Sequence, residues 1–126
     1  KSRIRGRIGV ILPNVSNPMY TQALTGIETI ARDYDYGVAL GISLRDRGRE
    51  FDYVSDMFSQ KIEAIILSPV SDSVEGLREF IQRGLRVVLL DQDLPGIDCS
   101  FIDFGLRSGV RLFVIWSTMV ISASAS

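Results

Sequence analysis

Four loop segments carry the residue types that could do chemistry. The first is Pro13-Asn14-Val15-Ser16-Asn17-Pro18, followed closely by Tyr20. Amides, a hydroxyl and a phenol donate and accept hydrogen bonds without carrying charge, which suits a sugar or another neutral polar ligand. The same residues also make a capped turn, and the two roles are compatible. The second segment is Ser68–Asp72. The third is Asp91–Asp93, with Asp98 beyond it, and the fourth lies around Asp103. Aspartates there can hold sugar hydroxyls, a metal or a proton, or simply be solvated turn residues. Paired carboxylates for glycoside hydrolysis must face each other across a bond, and spacing alone does not show that. Much chemistry is excluded outright. The chain has no histidine and a single cysteine, Cys99, so Ser-His-Asp and Cys-His catalysis, the common zinc sites and an intramolecular disulfide are all absent. Cys99 reads as a small buried apolar residue. The first loop has no glycine, so neither GxGxxG nor GxxxxGK[ST] is present, and a backbone cradle for phosphates is missing. A phospho-accepting receiver would need acids after the first strand and an aspartate ending the third, where Pro13-Asn14 and Ser68 stand.

The elements that must position these loops follow from hydrophobic spacing. Ile8–Leu12, Val38–Ile42, Ala64–Leu67 and Val87–Leu90 are short apolar runs, as in strands buried on both faces, and Cys99–Ile102 is a short fifth. Between them the period lengthens to that of a helix. Asn17 can cap a helix with Pro18 in its first turn and Tyr20, Leu24, Ile27, Ala31 and Tyr34 inward, stopped near Gly37. Asp46 can cap a second, with Phe51, Val54, Met57 and Phe58 on one face. Ser73 can cap a third, with Val74, Leu77, Phe80 and Ile81 inward and Gly84 as the stop. Apolar strands alternating with amphipathic helices predict βαβ units, hence an α/β fold with a parallel sheet and helices on both faces. In such sheets ligands sit beyond the carboxyl ends of the strands, which is where the four loops fall.

Composition fits one folded domain: 126 residues, 46% hydrophobic and 23% charged. A net charge of −1, from 14 basic and 15 acidic residues, excludes a chain that coats nucleic acid. Lys1–Arg7 holds four basic residues in seven and reads as a solvated linker end in preference to a nucleic-acid arm. The longest uncharged stretch, Leu112–Ser126, is interrupted by serines and is too short to span a bilayer. No secretory signal is visible, so no membrane association and a cytoplasmic location are expected.

The ordered set Ile8-Gly9-Val10-Ile11-Leu12-Pro13-Asn14-Val15-Ser16-Asn17-Pro18-Met19-Tyr20, Gly26-Ile27-Glu28, Tyr36-Gly37, Ile65-Ile66-Leu67-Ser68-Pro69 and Val87-Val88-Leu89-Leu90-Asp91 resembles the effector-binding domain of LacI/GalR-family transcription regulators. The resemblance runs from Arg7 to about Phe113. It implies one lobe of a type I periplasmic-binding-protein fold, a doubly wound sheet of about five strands in the order 2-1-3-4-5. It also implies a small effector, a sugar or nucleobase-like ligand, clamped between two lobes. Operator DNA is held by a separate helix-turn-helix headpiece, and homo-oligomers place two headpieces on two half-sites. By this resemblance the effector contacts map onto Asn14, Ser16, Asn17, Tyr20, Ser68 and Asp91. No cofactor, metal or catalytic residue is implied, so a binding protein is expected, not an enzyme. Glu63-Ala64 and Asp103-Phe104 depart from the Asp-Gly and Asp-Asn usual at those places.

The expected organisation is therefore a basic linker remnant over residues 1–7, a single lobe over 8–113, and an atypical tail over 114–126. The headpiece and second lobe lie outside this sequence. With one lobe only, effector binding is expected to be weak and DNA contact to belong to the headpiece. A lobe of a periplasmic sugar-binding protein from a transport system is the alternative, and an enzyme of flavodoxin-like topology a more distant one. Arg49-Glu50 at the head of the second helix is in the regulator style. The tail reads as out of frame. Allowed codons for Val114–Ser126, read one frame over, give Asp-Leu-Val-Asp-Asp-Gly-His-Gln-Arg-Ile-Ser, which resembles the family's entry to the second lobe. An authentic or engineered tail is the competing expectation.

Overall fold

A computed structural model describes residues 4, 6–62, 64–70, 74–90 and 100–102. Among the described residues there are five strands and three helices, in the order β1 (Gly6–Leu12), α1 (Pro18–Asp33), β2 (Tyr36–Ile42), α2 (Arg47–Ser59), β3 (Ala64–Leu67), α3 (Val74–Gln82), β4 (Arg86–Leu90) and β5 (Ser100–Ile102). All pairings are parallel and the strand order is β2-β1-β3-β4-β5. This is the α/β architecture expected from the hydrophobic spacing, in the strand order that the resemblance implied. The expected Ser73 cap, Cys99, Asp91–Asp93, Asp98, Asp103 and the tail lie outside the described residues.

β1 shows why the fold has two cores. Side chains alternate across a strand, so Ile8, Val10 and Leu12 pack to one side with Tyr20, Ile27 and Ala31 of α1. Ile11 packs to the other with Val54 and Met57 of α2 and Leu77 and Phe80 of α3. Covering both faces explains the nearly continuous apolar runs of β1, β3 and β4. β2 differs. It is an edge strand and mostly half-buried, with Leu40 exposed, although its sequence reads like a central strand.

The helix stops are of two kinds. Gly84, at φ 110°, ends α3 as expected. Gly37 does not end α1. It sits inside β2 opposite Arg7, and the chain turns earlier, through the C-cap Tyr34 and Asp35 at φ 64°. Aspartate tolerates the left-handed region better than most residues, so no glycine was needed. Two other glycines serve close approach. A Cβ on Gly9 would stand 2.5 Å from Met57 Sδ, and one on Gly41 would stand 2.7–3.0 Å from three ring atoms of Tyr53. Both let α2 settle on the sheet.

Candidate ligand-binding site

The carboxyl ends of β1, β2 and β3 meet at one rim. Ser68 N–H donates to Ile11 O at 3.0 Å, carrying the β1–β3 pairing one step past the strands. Ser43 N–H donates to Leu12 O at 2.8 Å and Leu44 N–H to Pro13 O at 3.0 Å. The β2–α2 turn thereby lies against the first loop.

That loop is organised by one atom. Asn14 Oδ1 accepts from Ser16 N–H at 3.1 Å, Ser16 Oγ–H at 3.2 Å and Asn17 N–H at 3.0 Å. The turn delivers Asn17 to its place at the head of α1. There Asn17 Oδ1 accepts from Met19 N–H at 2.9 Å, a proper N-cap with proline in the first turn. Capping and ligand contact do not compete, because each amide has two ends. The oxygens are used within the loop. The Nδ2 groups of Asn14 and Asn17 have no protein partner among the described residues, and Asn17 is exposed.

The other expected residues fall differently. Ser16 is exposed. Ser68 is 5% exposed, held by its backbone, and its hydroxyl has no protein partner among the described residues. Tyr20 is buried within the core beside β1 and α1, so its ring is committed to packing. Asp91 lies outside the described residues. The structure therefore brings Asn14, Ser16 and Asn17 into one turn with Ser68 on the adjoining strand end.

Two polar residues at the rim were not among the residues expected at the site. Ser43 is fully buried and its Oγ accepts from Arg45 N–H at 3.3 Å. Glu50 is 2% exposed, and its Oε2 accepts from Val70 N–H at 2.8 Å. The signal for Glu50 was present: Glu50, Val54 and Met57 are spaced i, i+4, i+7 and form the buried face of α2. Phe51, expected on that face, is 47% exposed and instead tilts against Phe80 with ring centroids 5.8 Å apart. Arg49 is held at the rim, donating to Ile42 O at 2.9 and 3.3 Å with its guanidinium 5.9 Å from the Tyr53 ring centroid. Among the described residues no cluster of acids and cysteine could hold a metal ion.

A rim of neutral hydrogen-bonding groups on a 2-1-3-4-5 sheet is common to several families. The comparison that decides among them is a match of the family of periplasmic binding proteins and the sugar-binding domain of the LacI family over residues 5–111. This chain belongs to that family. Catabolite control protein A of Priestia megaterium is 30% identical over 82 residues, covering 65% of this chain and 25% of that protein. A probable LacI-family transcriptional regulator from Corynebacterium glutamicum superposes with a TM-score of 0.70 at 26% identity, over 76% of this chain and 37% of the other. A periplasmic binding protein/LacI transcriptional regulator from Alkaliphilus metalliredigens, complexed with D-xylulofuranose, superposes with a TM-score of 0.65 at 25% identity, over 77% and 35%. The chain thus spans between a quarter and just over a third of these relatives. Among the described residues no helix is long and apolar enough to cross a membrane.

Proposed function

We propose that this chain is the N-terminal lobe of the effector-binding domain of a LacI-family transcription regulator, and that its ligand is a neutral sugar or a nucleobase-like molecule. Asn14, Ser16, Asn17 and Ser68 supply the hydrogen bonds, Asp91 a carboxylate for ligand hydroxyls, and Tyr20 shapes the floor as core. The observation that carries this is the pair of amide nitrogens left over once Asn14 and Asn17 have used their oxygens to build the loop. Donors presented without charge match a polyol or a base edge. The role is binding and not catalysis, and operator DNA is engaged through a headpiece elsewhere in the regulator. The compared regulators favour a cytoplasmic regulator over the alternative, one lobe of a transport system's sugar-binding protein.

A single lobe covers one side of its ligand, whereas binding pockets bury about 70–90% of a ligand's surface. Losing half of a micromolar interaction of ~8 kcal/mol moves Kd toward millimolar. The surfaces that face a second lobe and a second subunit in such regulators would also stand uncovered on a single lobe, which favours self-association of the chain. Calorimetry against D-xylulose, sucrose, ribose, adenine and guanine, with sedimentation velocity, tests both statements. The expected result is millimolar binding of a sugar or base, or none, by a self-associating chain. Micromolar binding by a strictly monomeric chain would show that the lobe is a complete module and refute this reading.

A further inference from the structure

Glu50 is the charged member of the buried set among the described residues, 2% exposed. Burying a carboxylate is costly unless it is hydrogen-bonded, and an aliphatic side chain at this helical position would fill the same face with Val54 and Met57 more cheaply. What the carboxylate adds is a contact that leaves its own helix. Its Oε2 accepts from Val70 N–H at 2.8 Å, twenty residues along the chain. Pro69 has no N–H to offer, so beyond Ser68 the Val70 amide is the first donor that can be tied down. The Ser68–Val70 segment is then fastened both to β1, through Ser68 N–H and Ile11 O at 3.0 Å, and to α2, through Glu50. The anchor is itself well seated. Glu50 lies in the first turn of α2, where the helix dipole favours an anion, and its N–H donates to Asp46 O while Asp46 Oδ1 caps Arg49 N–H, each at 3.0 Å.

We infer that Glu50 is a positioning residue: through Val70 it fixes the exit of β3 so that Ser68 keeps one place at the rim, and it couples the first turn of α2 to the ligand site. The ligand half of this rests on the function proposed above; the fastening half does not. The test uses the whole 126-residue chain with Glu50→Gln, which keeps an oxygen acceptor and nearly the same volume, and Glu50→Leu, which removes the acceptor. Glu50→Asp, one methylene shorter, stands in if the leucine variant fails to fold. Two readouts are needed: amide hydrogen exchange at Val70, with Ile65 and Val88 as references, and Kd for D-xylulose by NMR titration.

Glu50→Leu is expected to speed exchange at Val70 by about tenfold or more, the size that follows from losing a hydrogen bond to a charged acceptor. Ile65 and Val88 should stay within about twofold, and D-xylulose binding should weaken by a similar tenfold factor. Glu50→Gln should restore both toward the parent. Unchanged Val70 exchange in Glu50→Leu overturns the fastening. A freed Val70 with unchanged D-xylulose affinity overturns the coupling. If the parent chain binds no sugar or base at all, the coupling has no ligand site to act on in this chain and falls, and Val70 exchange still decides the fastening.

Discussion

Replacing Asn14 in two ways separates what its side chain does for the loop from what it offers a ligand. Its Oδ1 accepts three hydrogen bonds of 3.0–3.2 Å. A net contribution of about 0.5–1.5 kcal/mol each applies, at the low end for a surface turn, so Asn14→Ala should cost about 1–2 kcal/mol. With a urea slope of roughly 2 kcal/mol/M, the midpoint falls by ~0.5–1 M. Asn14→Asp keeps every acceptor and strengthens those facing N–H groups, so its midpoint should stay within ~0.3 M of the parent. Binding divides differently, because the carboxylate cannot donate as Nδ2 does. A ligand hydroxyl can turn round and donate to the aspartate, whereas a ring oxygen or a carbonyl cannot. Urea titration followed by circular dichroism, with calorimetry on the same samples, reads both effects. If Asn14→Asp destabilises as much as Asn14→Ala, the acceptor accounting is wrong and the loop is held by something else.

Gly41→Ala should destabilise by about 1–3 kcal/mol through overpacking against the Tyr53 ring, and become neutral or slightly favourable in a Tyr53→Ala background; equal costs in both backgrounds would refute the contact. The 126-residue chain, with a net charge of −1, should show no preferred DNA sequence in a gel shift at physiological salt, and only weak, salt-sensitive association below it. The family match ends at residue 111, where charge also disappears from the sequence. Sequencing the encoding DNA should therefore reveal that a single-base insertion or deletion near Phe113 restores a family-like continuation, and its absence would leave an authentic or engineered tail.

Local physics makes much of this protein legible in its sequence. Apolar runs buried on two faces, helical spacing between them, Asn17-Pro18, Asp46 and Gly84 as punctuation, and the absence of histidine and phosphate-binding glycines each act through near neighbours in sequence. They yield a parallel α/β sheet, its helix starts, and a rim of neutral groups at Asn14, Ser16, Asn17 and Ser68. Tertiary structure decided what depends on partners far along the chain. β2 became a half-exposed edge because nothing pairs beyond it among the described residues, which its apolar sequence could not announce. Asp35 in place of Gly37 turned the chain after α1, since a tolerated positive φ is a property of the fold around it. Phe51 went outward and Glu50 inward on α2 because the sheet and the Val70 amide, twenty residues away, set which stripe of the helix is covered. A buried carboxylate is explicable only once its donor has been brought within 2.8 Å, and that approach is made by the packing of α2 against the exit of β3.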